Sequence, residues 1–394
     1  MQALAGRKLH FVGIGGAGLS GYAQLAHAWG AEVSGWDRYE TPYLAHLSGE
    51  IAVTISEDPD PPPDAEVVVS TAFAGRVDGR SRAELLAELV SLQGSIVVSG
   101  AHGKTTTAAM IAFVLDRLGR DPGFLIGADV PQLGGNARAG AGWLVVEGDE
   151  SDRTIERLRP KIAVVTNVDL DHHTEFASRA EVAGVFERWL EQVPQVVRGD
   201  ELDPYDGELN LPGEHNRRNA ATALAALQLA GVDGREAWPA LREFRGAGRR
   251  LQEIGVAGDV RIVDDYAHHP AEIRATIAAL REQGGERILA LFQPHLYSRT
   301  RHLARETAKA LADADVVAIT DVYAAREEPI EGVTGKLVVD ALSEVRPGMP
   351  IGWTPRIDDG ARFVASRARP GDIVLTIGAG DVDRAATLVL EALE

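Results

Sequence analysis

The sequence contains no cysteine. That excludes disulfides, thiolate metal sites and a cysteine nucleophile. Long apolar runs are also missing, and no stretch approaches the roughly 20 residues that a membrane span needs. The N-terminal MQALAGRKLHFVGIGG lacks an apolar signal core ending in a small-residue cleavage site, so a cytoplasmic location is expected. Positive charge is in short supply, with 40 basic residues against 58 acidic ones and a net charge of -18. A field of that sign repels polyphosphate backbones and argues against a nucleic-acid partner. Any anionic substrate must therefore be gripped by a local cluster of donors. Lysine is scarcer still: Lys8, Lys104, Lys161, Lys309 and Lys336 are the whole complement, so a lysine inside a glycine-rich loop stands out.

What is present is an alternation of short apolar strands with helical patterns over 394 residues, too long for one ordinary core. Strands are expected at Leu9–Val12, Val33–Trp36, Val67–Ser70, Ser95–Val98, Trp143–Val146, Ile162–Val165, Arg261–Val263, Ile288–Phe292, Val316–Thr320 and Ile373–Ile377. Helical spacing falls between them, and Val196–Leu211 is short, acidic and weakly patterned. Such alternation implies an α/β fold with mostly parallel sheets covered on both faces. Three units are expected, at 1–93, 94–243 and 244–394. Chemistry in such sheets sits at the carboxyl ends of strands, and every polar motif below follows a strand.

Gly13-x-Gly15-x-x-Gly18, between a strand and a helix, matches a dinucleotide fingerprint, with Asp37 near the spacing of a ribose-binding acid. By itself it permits a nicotinamide-dependent dehydrogenase. Gly100-Ala-His102-Gly103-Lys104-Thr105-Thr106 resembles a P-loop, although Val98 stands where the full pattern has its first glycine. Lys104 would neutralise β- and γ-phosphates and the Thr105 hydroxyl would ligate Mg2+. Glu147 follows a strand as a Mg2+-organising acid does, and Asp149, Glu150 and Asp152 crowd the same loop. His172 and His173 follow the next strand. Asn216 and Asn219 open a helix as caps or as readers of an adenine edge. Asp264, Asp265, Tyr266, His268 and His269 crowd another strand end, where capping of the helix at Pro270 is the plain alternative. His295, Tyr297, Ser298 and Arg299 cluster likewise, and Arg299 suits a bidentate clamp on a carboxylate or phosphate.

The order and spacing of 12-VGIGGAGLSG-21, 99-SGAHGKTTT-107, 147-EGDESD-152, 166-TNVDLDH-172, 213-GEHNRRNA-220, 248-GRR-250, 264-DDYAHHP-270, 293-QPHLYSRTR-301 and 378-GAGD-381 resemble the Mur ligases over nearly the whole chain. The resemblance implies a Rossmann-like N-terminal domain, a P-loop ATPase-like central domain and a Rossmann-like C-terminal domain. It implies ATP and Mg2+, with UDP-N-acetylmuramate and L-alanine as substrates, in a monomer or homodimer with no nucleic-acid or membrane partner. Gly15, Gly16, Ala17, Gly18, Asp37 and Ser70 would hold the nucleotide sugar. Gly100, His102, Gly103, Lys104, Thr105 and Thr106 would hold the ATP phosphates. Thr105, Glu147 and His172 would bind metal. Asn216, Asn219, Asp265 and Tyr266 would surround the adenosine, Arg249 and Arg250 would reach phosphate, and His268, His295 and Arg299 would lie near the substrate carboxylates. The implied reaction forms an acyl phosphate on the muramyl carboxylate, which the amino-acid amine then attacks.

The sequence departs from that pattern in places. Ala101 replaces a usual threonine, Leu296 stands at a usual arginine, and Arg326 stands at a usual glycine and is expected to compensate. The Val193–Leu211 stretch is shorter than in relatives, so part of the central sheet is expected to be missing.

Overall fold

In the computed structural model, which describes residues 2–47, 49–170, 175–325 and 327–394, three sheets form along the chain. The first contains β1 (Lys8–Val12), β2 (Glu32–Asp37), β3 (Ala52–Ile55), β4 (Glu66–Val69) and β5 (Arg80–Ser81), with helices α1 (Ala17–Ala28) and α2 (Arg82–Ser91). Its order is β3-β2-β1-β4-β5 and every pairing is parallel. The order reverses at β1, so the glycine-rich loop after β1 occupies the switch point. A capping box at Ser81 and Glu84 sets the start of α2.

The second sheet contains β6 (Ser95–Ser99), β7 (Gly123–Val130), β8 (Gly135–Arg138), β9 (Leu144–Glu147), β10 (Ile162–Val165) and β11 (Gln195–Arg198) in the order β11-β10-β6-β9-β7-β8. Only the β7–β8 pair is antiparallel. β6 and β10 are buried at every position, as expected of β-branched runs covered on both faces. Helices α3 (Lys104–Arg117), α4 (Arg179–Leu190), α5 (Glu214–Leu229) and α6 (Gly234–Arg242) follow in turn. The close approach of α1 to this sheet depends on Gly21, where a Cβ would stand 2.9 Å from Leu125.

The third sheet contains β12 (Gln252–Ala257), β13 (Val260–Asp265), β14 (Ile288–Phe292), β15 (Val316–Ile319), β16 (Ile351–Trp353) and β17 (Ile373–Ile377) in the order β12-β13-β17-β14-β15-β16. It is parallel except for the β12–β13 edge. Helices α7 (Pro270–Glu282), α8 (Tyr297–Leu311), α9 (Lys336–Val345), α10 (Ile357–Ala365) and α11 (Arg384–Leu393) cover it, burying one core on each face.

The chain divides into two compact units. The first two sheets, with 178–210 and 218–247, make one; the third sheet, with 211–217, makes the other. All ten strands expected from the sequence are present to within a residue or two. The P-loop helix begins at Lys104, and Lys104 to Thr107 form its first turn. Val98, at the missing glycine position, is an interior residue of β6. The weakly patterned stretch near Val196 holds the edge strand β11.

Leu291 lies on central strand β14, is fully buried and packs against Gly360. Leu291→Ala is expected to cost about 2–5 kcal/mol of stability, read as a lower denaturant midpoint at unchanged slope.

Candidate active site

The register around β6 assembles the principal site. Val98 pairs with Glu147 of β9, and Ser99 pairs with Val165 of β10. The carboxyl ends of three adjacent parallel strands therefore place Gly100, Glu147 and Thr166 side by side. Gly100 has φ +135, and a Cβ there would stand 2.2 Å from Thr166 Oγ1. Gly103 caps α3 with φ +79, and its Cβ would stand 2.3 Å from Asn219 Oδ1. Two side chains at the end of β10 clamp the loop. The Thr166 hydroxyl donates to the His102 carbonyl at 2.6 Å. The Asn167 amide accepts from the His102 N–H at 3.0 Å and donates to its carbonyl at 2.9 Å.

Lys104 donates to the Gly100 carbonyl at 2.6 Å and to both oxygens of Glu150 at 3.1 and 3.0 Å. Glu150 is only 2% exposed. Burial alone would weaken the ammonium, but Glu150, Asp149 and Glu147 outweigh it and hold Lys104 above its ordinary value. Thr105 donates to Glu147 at 3.2 Å, and the other Glu147 oxygen accepts from the Gly127 N–H at 2.6 Å. A hydroxyl facing a carboxylate at the head of a phosphate loop is a hard-oxygen pair of the kind Mg2+ selects. His172 and His173 lie outside the described residues. Among the described residues, no group of three His, Asp or Glu forms a metal cluster.

The glycine-rich loop of the first sheet is equally constrained. The Gly15 N–H donates to Asp37 at 2.8 Å, and a Cβ on Gly15 would meet Asp37 and Thr41. Gly16 caps α1, and Ala17 opens it. Gly13 has φ +88 and abuts Ser70, whose buried hydroxyl has no hydrogen-bond partner among the described residues. Asp37 therefore braces the loop through its backbone. Arg82, which the sequence did not flag, donates to Asp149 at 3.4 Å and to Asp152 at 3.2 Å. Tyr22 of α1 joins this junction; burial, against the pull of Arg82, pushes its phenol up to about 12.

In the second unit, the loops after β13, β14 and β17 converge, since Asp265 and Phe292 both pair with Ile377. Arg249, at φ +56, donates to Asp264, to Gly380 O and to Gly378 O, each at 2.8 Å. Its guanidinium also lies 5.1 Å from the Tyr266 ring centroid, and that of Arg250 lies 5.0 Å away. Asp265 accepts from Leu251 N, Ala267 N and the Thr276 hydroxyl. Burial pushes Asp264 and Asp265 up, against Arg249 and Arg250 respectively. His269 caps α7 with Glu272 closing a capping box, the plain alternative foreseen at Pro270.

His268 Nδ1 lies 3.1 Å from the Tyr266 carbonyl. A carbonyl only accepts, so that nitrogen carries the proton. His295 Nδ1 lies 3.0 Å from Arg299 Nη1 and must be the acceptor, because arginine cannot accept. The His295 ring stacks on Tyr323 at 5.8 Å and approaches His268 at 5.6 Å. Leu296 caps α8 with φ +68 and donates from its N–H to the Tyr323 carbonyl. Arg326 lies outside the described residues. Asn216 donates to the Pro212 carbonyl at 2.7 Å, one turn before Asn219 on α5.

A lysine-bearing loop at the switch point of a parallel sheet, with an acid on the neighbouring strand end, defines a P-loop class of α/β protein. Three family models match in succession: the Mur ligase family catalytic domain over 8–93, the Mur ligase middle domain over 98–201, and the Mur ligase glutamate ligase domain over 249–380. The UDP-N-acetylmuramate–L-alanine ligase of Pelotomaculum thermopropionicum is 35% identical, with 98% of each chain covered. That of Thermobifida fusca is 38% identical over 98% of this chain and 96% of its own. The solved UDP-N-acetylmuramate-alanine ligase of Thermotoga maritima superposes with a TM-score of 0.81 at 27% identity, covering 98% of both chains. The chain belongs to the Mur ligase family. Membership sets aside the dehydrogenase that the first glycine loop alone permits. Alignments of 456 positions against 394 residues also leave dozens of the relative's positions unmatched, as a shortened chain requires.

Gly100→Ala combines a disfavoured φ with a steric clash, so it is expected to weaken ATP binding at least about tenfold in calorimetry, with helix content unchanged. Tyr22 supplies a pH test. The unfolded phenol ionises near 10 and the folded one near 12. Between those values the unfolded state binds fewer protons, so stability falls as pH rises. Tyr22→Phe is expected to retain on the order of 2–3 kcal/mol that the unaltered protein loses across that window, measured by urea unfolding.

Proposed function

We infer that this chain is an ATP-dependent amide ligase that joins L-alanine to the carboxylate of UDP-N-acetylmuramate in peptidoglycan precursor synthesis. Full-length similarity to ligases of that name carries the reading. The Lys104 loop on β6 supplies the machinery such a reaction needs. The units 1–93, 94–243 and 244–394 are taken to handle the nucleotide sugar, ATP and the closing ligase step. No helix among the described residues is long and apolar enough to cross a membrane.

The backbone amides of Gly103 to Thr106 open α3 and favour phosphate by position and dipole. Lys104 is already desolvated and held by Glu150, so its charge is oriented before phosphoryl transfer begins. Thr105 and Glu147 would hold Mg2+, which when bound neutralises charge on the phosphate oxygens; His172 is assigned beside them on the family resemblance. The muramyl carboxylate oxygen attacks the γ-phosphorus, the bond to ADP breaks, and an acyl phosphate forms. The L-alanine nitrogen then attacks the acyl carbon, loses a proton, and inorganic phosphate leaves. Arg249 is engaged by Asp264 and two carbonyls, so it acts as a positioning residue, and Arg250 on the same ring is assigned to phosphate on the family resemblance. His268, whose Nδ1–H is bonded to the Tyr266 carbonyl, is assigned near the substrate carboxylates on the family resemblance. Arg299, anchored on His295, is the clamp assigned to a substrate carboxylate.

Phosphate release from MgATP is expected to require both UDP-N-acetylmuramate and L-alanine. Lys104→Ala should lower its rate by on the order of 10²-fold or more. Release with a different amino acid in place of L-alanine would move the specificity and point to Leu296.

A further inference from the structure

Arg82 is the first residue of α2, and the Ser81–Glu84 capping box anchors its backbone. Both of its acidic contacts use Nη2, at 3.4 Å to Asp149 and 3.2 Å to Asp152. Among the described residues Nη1 takes part in no hydrogen bond. It points instead at the first turn of α1, 3.7 Å from where a Cβ on Gly18 would stand. One guanidinium thus faces the acidic loop after β9 with one prong and the glycine-rich loop after β1 with the other. Asp149 leads onward to the P-loop. Its carboxylate also accepts from the N–H and the hydroxyl of Ser151. The neighbouring Glu150 grips Lys104 directly.

We propose that Arg82 is a positioning residue that couples the two nucleotide sites, one prong taking the diphosphate of the nucleotide sugar while the other holds the acidic loop that carries Glu150, the partner of Lys104. This rests on the assignment of the two loops made above. A diphosphate arriving at the head of α1 draws the guanidinium toward itself. Asp149 and Asp152 then lose part of their compensation, and the field at Lys104 changes. Nucleotide phosphates arriving at Lys104 act back along the same chain, because coupling between two binding sites is reciprocal.

The test is calorimetric titration of the full chain with a non-hydrolysable ATP analogue and Mg2+, with and without saturating UDP-N-acetylmuramate. In the unaltered protein each ligand is expected to change the other's affinity by at least about fivefold. In Arg82→Ala both ligands should still bind, and the factor should fall to within about twofold of unity. Arg82→Lys keeps the charge without the two-pronged geometry and should also lose most of the factor, so it serves if the alanine variant fails to fold. No coupling in the unaltered protein, or an undiminished factor in the variants, would overturn the proposal while leaving the ligase reading intact. Failure of UDP-N-acetylmuramate to bind the unaltered chain would instead overturn that reading, and the coupling with it.

Discussion

Lys104 carries a positive charge into a nearly closed site, and Glu150 makes that possible. Desolvating an ammonium costs several kcal/mol unless a counter-charge and hydrogen bonds replace the lost water. Here the carboxylate is almost fully buried, and the Gly100 carbonyl takes a further N–H. The pair contributes little net stability by itself, since buried ion pairs roughly break even. Its consequence is orientation: the Lys104 ammonium is held in place at the start of α3, in the loop proposed to receive the ATP phosphates.

Everything around that pair follows from the order of the strands. β6 lies between β9 and β10, so its loop is flanked by the Glu147 end of one strand and the Thr166 end of the other. Those neighbours press so closely that Gly100 and Gly103 have no room for a Cβ. The third sheet repeats the logic with different chemistry. There Arg249 ties the loops after β13 and β17 together, and the His268–His295–Tyr323 rings line the neighbouring strand ends. Leu296 keeps its unusual φ because it is bonded on both sides, to the Tyr323 carbonyl and from Thr300.

Much of this was legible beforehand. Apolar β-branched runs located all the central strands but β7, and the motifs among the described residues lie at strand ends. Other strands escaped: β7, which lies between β9 and β8, and β8 itself carry glycines, and the edge strand β11 is short with polar ends, so none has a strong period. Arg82 escaped for a different reason. An arginine at the start of an amphipathic helix carries no local signal, and its partners Asp149 and Asp152 are remote in sequence. Glu150 was seen as one of a crowd of acids, and only burial distinguishes it from Asp149 and Asp152.

The sequence by itself determined the fold class, the family and the loops that carry the chemistry. Those depend on local patterns: hydrophobic period, glycine spacing, and the order of short motifs along the chain. Only the tertiary structure decided which acid holds Lys104, that Asp37 and Asp265 brace segments distant in sequence by accepting from Gly15 N and Leu251 N, and that Arg249 is a tie between strands. Each of those assignments turns on which of several chemically equivalent groups lies within about 3 Å of a partner and away from water. Charge strength inside a protein depends on that distance and that burial, and neither quantity is written in the spacing of residues along a chain.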